Sequence, residues 1–284
     1  MRNQLRTLAL LGLLSCGLVG LGGALGAGWL IGLTALALAI NLGAWFYSDR
    51  IVLRMHQATE LGPHELPHVH AMVAELAKKC EMPMPRVYRV ADPTPNAFAT
   101  GRTPQRGVVA VTDGIVAALP PRELRAVIAH ELAHIKNRDT LVATVAAGLA
   151  AAISYAANAL QLSALFGGGD EEEEGGSGLL MAFAAPLVAG LVQMGVSRSR
   201  EFLADAEGAR ICGDPEGLAR ALERLHDPML PQTLAMAQPA TASLMIANPL
   251  ASRVGLTALF STHPPVEARV ARLRAMAPAA RSAA

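Results

Sequence analysis

Val127-Ile128-Ala129-His130-Glu131-Leu132-Ala133-His134-Ile135-Lys136-Asn137-Arg138-Asp139 carries the spacing H-E-x-x-H within a run of helical character. A four-residue step on a helix stacks side chains on one face, so both imidazoles can reach one cation. Glu131 lies beside them, placed to take a proton from metal-bound water, the arrangement used by zinc hydrolases. The helix has signals of its own. Leu124, Ile128, Leu132 and Ile135 make an apolar stripe, and Pro120-Pro121 with Glu123 mark a helix start. His130, His134 and Asn137 fall on the adjacent face, so a packing face adjoins a ligand face. The competing reading is a pair of core histidines held by hydrogen bonds.

A second copy of the spacing, His64-Glu65-Leu66-Pro67-His68, does not carry the same meaning. Chance placement gives on the order of one in a hundred such motifs in a chain of this composition, yet this copy contains a proline. Pro67 removes a backbone donor and forces Leu66 out of the right-handed helix, so a helix starts at Pro67 and leaves His64 outside it. The two imidazoles then share no face, and His70 reads as a solvated helix residue.

Two histidines leave a tetrahedral zinc short of a third protein ligand. Ser197-Arg198-Ser199-Arg200-Glu201-Phe202-Leu203-Ala204-Asp205 offers one, because Glu201 and Asp205 are four apart on a helix face. Glu201 could then ligate while Asp205 orients a ligand histidine through its free ring nitrogen. Taken alone, E-x-x-x-D is common, and the favoured reading of the pair is solvated acids beside Arg198 and Arg200. Asn137 and Asp139 could each bond neighbours on the ligand helix or simply end it, and Asn137 is taken as the supporting candidate.

Hydropathy organises the rest. Hydrophobic residues make up 52% of the 284, charged residues 17%, and mean hydropathy is +0.34, the balance of an integral membrane protein. A net charge of +1 argues against a nucleic-acid binder. No Lys or Arg occurs between Arg6 and Arg50, an interval holding apolar spans at 8–25 and 27–46. None occurs between Arg138 and Arg198, which holds spans at 141–166 and 179–196 around a turn at 167–178 with five acids at 170–174. These read as two transmembrane hairpins with the bilayer as partner. A signal peptide is the alternative for the first span. Asn158, Gln161 and the shortness of 179–196 leave the second hairpin free to lie on the protein or in the interface. Basic residues flank both hairpins, which places both termini and 48–139 in the cytoplasm. Cys16, Cys80 and Cys212 lack metal or disulfide spacing and fit a reducing compartment. The expected organisation is a hairpin at 1–50, a catalytic part at 51–139, a second hairpin at 140–197 and a second catalytic part at 198–284.

Between the hairpins, Pro67 to Lys79 reads as a helix, Met82 to Pro85 as a turn, and Arg86 to Val90 and Gly107 to Thr112 as strands. Asn96-Ala97-Phe98-Ala99-Thr100-Gly101 looks like an edge strand, able to pair with an extended substrate backbone, or else a connecting loop. Asp227 to Ser261 reads as an irregular cover, lid or substrate wall. His263 lies in Thr262-His263-Pro264-Pro265 before a helix at 266–276, a fixed position suited to an oxyanion donor or to a plain capping role. Arg269 has no role that spacing decides.

Four of these motifs together, Asn96 to Gly101, His130 to Asp139, Ser197 to Asp205 and Ser261 to Pro265, resemble the HtpX-type membrane zinc metalloproteases. These are gluzincins related to the CAAX prenyl proteases, and the likeness spans nearly the whole chain. The resemblance implies a mainly helical α+β fold with a small sheet, a zincin-like domain carrying the two hairpins. It implies one Zn²⁺ per subunit on His130, His134 and Glu201, with Glu131 as base, and protein substrates in membrane quality control at the bacterial inner membrane. The rivals are a prenyl-peptide protease, disfavoured by so short a chain, and a zinc-binding scaffold, disfavoured by Glu131 and an open fourth position.

Overall fold

In the computed structural model, which describes residues 27–139, part of 142–157, 175–227, 229–231, 245–246 and 263–276, the prolines mark element starts as expected. Pro67 opens a helix, and Leu66 before it is left-handed at φ 46°, ψ 58°. The backbone thus turns inside the first H-E-x-x-H copy, and His64 and His68 are both exposed. His70 departs from the expectation: it is half-buried and its Nε2 is shielded from solvent.

The chain divides into two units, Met1–Phe46 with Leu141–Ser199 and Tyr47–Thr140 with Arg200–Ala284. In the first unit, helix α1 (Ala27–Met55, running on into the second) covers the expected 27–46 span. The span at 8–25, most of 141–166 and the acidic run at 170–174 lie outside the described residues. Among the described residues no helix is long and apolar enough to cross a membrane. The turn expected at 167–178 is partly corrected, because a long helix already begins at Gly175 and runs to Cys212.

The second unit is built on a four-stranded mixed sheet of β1 (Thr59–Glu60), β2 (Arg86–Val90), β3 (Ala97–Thr100) and β4 (Val108–Thr112) in the order β1-β2-β4-β3. β2 and β4 are parallel with Val87 opposite Val109, and β3 returns antiparallel with Phe98 opposite Ala110. The two parallel strands are rich in valine, and all five residues of β4 are buried, as a strand covered on both faces requires. The 97–100 segment is therefore an edge strand of the sheet. Its helices are α2 (Pro67–Lys79), α3 (Asp113–Ala118), α4 (Pro121–Lys136), the part of α5 (Gly175–Cys212) from Arg200 onward, α6 (Pro215–Leu225) and α7 (Val266–Arg274).

Helix α4 is the centre of the core. Leu124, Ile128, Leu132 and Ile135 are at most 3% exposed and pack with Ala97, Ala99, Val109 and Val111 from one face of the sheet. Leu218, Leu222, Val270 and Leu273 from α6 and α7 complete the same cluster. The approach of α5 to α4 is closer than side chains allow. A Cβ on Gly208 would lie 2.8 Å from the Cα and 2.9 Å from the backbone nitrogen of His130, so the helices touch backbone to backbone there. Glu201, Asp205 and Gly208 share one helix face, and this approach delivers both carboxylates to His130.

A sign reversal tests that contact. In an exposed helix, Gly→Ala gains up to about 1 kcal/mol, whereas Gly208→Ala is expected to lose about 1–3 kcal/mol through overpacking. Thermal unfolding in detergent measures it, and a raised Tm would contradict the close approach.

Candidate metal centre

Helix α4 presents His130 and His134 from successive turns, and α5 brings Glu201 opposite them. One ligand atom from each of the three lies within 4.8 Å of the others, the sole such group of potential ligands among the described residues. His130 Nε2 and His134 Nε2 are 3.1 Å apart, and Glu201 carboxylate oxygens stand 3.7 Å and 3.5 Å from them. His130 and Glu201 are almost fully buried, while His134 keeps a narrow opening.

The other ring nitrogens decide the tautomers. His130 Nδ1 meets Asp205 Oδ1 at 3.1 Å, and His134 Nδ1 meets Asp139 Oδ2 at 2.7 Å. A carboxylate accepts only, so each Nδ1 donates, and each neutral ring then turns an Nε2 lone pair inward. Two lone pairs 3.1 Å apart beside a carboxylate repel one another unless a positive charge lies between them. Without a cation, a proton takes that place: burial opposes a charge on His134, but Asp139 and Glu201 outweigh it and raise its pKa to about 9. Burial lowers the pKa of His130 despite Asp205.

Arg269 of α7 ties the second layer together. It is 1% exposed, grips Asp205 through Nε and Nη2 at 2.8 Å and 2.7 Å, and reaches Glu201 Oε2 through Nη1 at 3.2 Å. Such a two-pronged pair fixes the acid in direction as well as in charge. Burial works against ionisation of Glu201, yet His263 and Arg269 hold its carboxyl well below the usual range. Asp205 is likewise held low by Arg269 against the effect of burial. Arg200 Nε, 3.1 Å from Asp139 Oδ1, plays the corresponding part on the other side.

Glu131 stands apart from these pairings. It is 1% exposed, and neither carboxylate oxygen has a hydrogen-bond partner among the described residues. Burial pushes its pKa up to about 8, nearby His134 pulls it down, Glu201 adds to the rise and Arg269 opposes it. A buried acid left this way is costly unless something else occupies the site. The buried charges agree. Glu201, Asp205 and Asp139 face Arg269 and Arg200, a formal excess of one negative charge, to which Glu131 adds a second when it ionises beside a bound cation. The residues fit a metal ion.

Of the residues singled out by spacing, His130, Glu131, His134, Glu201 and Asp205 come together. His263 joins them with Nδ1 3.2 Å from Glu201 Oε2. Asn137 does not: it is exposed at the end of α4, bonding its N–H to the Ala133 carbonyl, and Asp139 two residues on supports His134 instead. Asn96 is buried with its backbone turned to β4, donating to Thr112 Oγ1 at 2.8 Å and accepting from the Thr112 N–H at 3.0 Å. Ala97 and Ala99 therefore offer their backbone to the outer edge, and Phe98 is fully buried. Spacing missed Arg200, Gly208 and the pairing of Arg269. The glycine in a helix interior was the one readable signal among them.

This fold and site define a metallopeptidase. The chain belongs to Peptidase family M48, which residues 63–277 match. It is 46% identical to a protease HtpX homolog of Syntrophobacter fumaroxidans over 97% of this chain and 100% of the relative. A protease HtpX homolog of Methylibium petroleiphilum is 45% identical over 98% and 99%. The crystal structure of S. mikatae Ste24p has a similar fold, with a TM-score of 0.58 at 16% identity. That likeness covers 96% of this chain, which spans 65% of the Ste24p chain.

The orienting carboxylates give a prediction for metal content. Asp139→Asn and Asp205→Asn are each expected to weaken metal binding about 10- to 100-fold, while Asn137→Ala leaves it unchanged. Competition with a chelator of known affinity reads the difference.

Proposed function

We propose that the chain is a zinc endopeptidase that cuts peptide bonds of membrane or misfolded proteins by direct attack of water, with no acyl intermediate. The observation that carries this reading is the convergence of His130, His134 and Glu201 beside an unpartnered Glu131. Two imidazoles and one carboxylate make a three-ligand set with an open fourth position, as in catalytic zinc sites, and one ion per subunit is expected. Bound there, zinc would polarise the scissile carbonyl and lower the pKa of a water toward about 7.

The protein's own groups supply the rest. Glu131 accepts the proton of the attacking water and returns it to the leaving amine. Asp139 and Asp205 keep both imidazoles turned toward the ion, and Arg269 keeps Glu201 ionised and aimed. His263, beside Glu201, is assigned as the donor that steadies negative charge on the carbonyl oxygen. Asn96, Ala97, Phe98 and Ala99 form the peptide-binding edge, in which the outer backbone groups of Ala97 and Ala99 pair with an extended substrate.

The charge map supports an inner-membrane location with hairpins at 1–50 and 140–197 and the catalytic parts at 51–139 and 198–284 on the cytoplasmic side. The open fourth position and the poised Glu131 argue against a closed structural zinc site in a scaffold.

Two experiments test this reading. Glu131→Gln is expected to keep its zinc and to cut casein about 10²- to 10⁴-fold more slowly, while Glu201→Ala loses zinc as well. Near wild-type turnover in Glu131→Gln, or full zinc in Glu201→Ala, would overturn the assignment. A reporter active only outside the cytoplasm is expected to work when fused near Gly22 or Gly176, and to be silent at Ser48 or after Ala284. Activity at Gly22 alone would leave the second hairpin uncrossed, and activity after Ala284 would reverse the orientation.

A further inference from the structure

β3 is the sheet's outermost strand, yet its outer side is taken. The Ile246 N–H donates to the Ala97 carbonyl at 3.1 Å, and Phe98 and Met245 face one another as an antiparallel bridge. Side chains of the two residues go to opposite faces of the sheet, as they do in a strand. Met245 is 1% exposed and packs with Val52, Leu53, Phe98 and Ala110, whereas Ile246 is 2% exposed and joins the cluster of Ala97, Ala99 and α4. Both side chains are thus fully used, and the pairing is more than a touch between loops.

The position of this pair matters because the same edge borders the site. Ala97 and Ala99 pack against α4, the helix that carries Glu131, so a peptide paired antiparallel with Ala97–Ala99 would carry its scissile bond past Glu131. Met245 and Ile246 lie where such a peptide would lie.

We infer that Met245–Ile246 is a resident strand on the substrate track, and that substrates bind by displacing it. This rests on the protease reading above and names its substrate class: extended segments with two adjacent apolar residues, one for each face of β3. Folded domains bury such segments and polar linkers lack them. Exposed apolar segments of unfolded chains satisfy both demands. A resident strand lowers the apparent affinity of every peptide by the fraction of time it occupies the edge, and so sets a threshold as well as a preference.

The test uses the full chain, purified in detergent and supplied with zinc. Phe98→Cys with Met245→Cys puts thiols on a non-hydrogen-bonded antiparallel pair, where Cα atoms about 4.5 Å apart allow a disulfide. Mass spectrometry follows the bond, and both single-cysteine variants serve as controls. Casein cleavage is expected to fall at least about tenfold on oxidation and to return on reduction. Equal cleavage in both forms with the disulfide intact would overturn the inference.

A second arm reads binding alone, in a Glu131→Gln background. A fluorescein-labelled peptide copying residues 241–250 is expected to bind about tenfold more tightly once Ile246→Pro removes the N–H donated to Ala97. A peptide with aspartate in place of its Met and Ile gains nothing. Unchanged binding of the copied peptide would sink the resident strand even if the cysteine pair were inactive in both states. A wild-type chain that cleaves nothing with zinc would instead count against the protease reading, and the peptide arm would still judge the strand.

Discussion

Two imidazole nitrogens with lone pairs facing each other across 3.1 Å are the constraint on which the second unit depends. Nothing in a protein core offsets that repulsion except positive charge. Asp139 and Asp205 enforce it by holding both Nδ1–H groups, and Arg200 and Arg269 in turn hold the acids. The result is a nest of buried charges that costs stability in isolation and is completed by a divalent cation. Every element that touches it has a geometric duty: α4 spaces the histidines, α5 brings the carboxylates within reach through Gly208, and α7 inserts Arg269 between them. A folded chain without its ion is therefore expected to hold a proton on His134 in place of the metal.

The sheet sets the second constraint. β4 is buried throughout, so only β3 can offer an edge near the metal helix, and the register with β4 decides which of its backbone groups point outward. Asn96 turns inward to Thr112, which leaves Ala97 and Ala99 for the edge. The side chains packed on α4 and the backbone groups turned to the outer edge are thus fixed by the same alternation. This is why Ala97 and Ala99 pack against α4, the helix that carries Glu131.

Much of this was legible because it rests on local periodicity. The helix step of four put His130 with His134, and Glu201 with Asp205, on common faces, although only the family resemblance marked Glu201 as a ligand, and Pro67, Pro85 and Gly107 punctuated α2, β2 and β4 to within a residue. What escaped was long-range. Between Asn137 and Asp139, both readable as supports of the ligand helix, spacing favoured Asn137 on the ligand face of α4, but that helix ends there, and the chain turns through Arg138 at φ 55° to bring Asp139 back under His134. Arg269 is 64 residues from Asp205, and no spacing rule connects them. Met245 and Ile246 sit in a stretch whose composition reads as irregular, and two residues are too few for periodicity to speak. Their partner is in a strand 147 residues earlier.

X-ray absorption at the zinc edge, on the full chain purified in detergent with one equivalent of zinc, tests the central claim most directly. Two imidazole nitrogens and one carboxylate oxygen are expected at about 2.0–2.2 Å, with a water oxygen as the remaining light-atom neighbour. A sulfur neighbour near about 2.3 Å, or a closed set of four protein ligands, would contradict it.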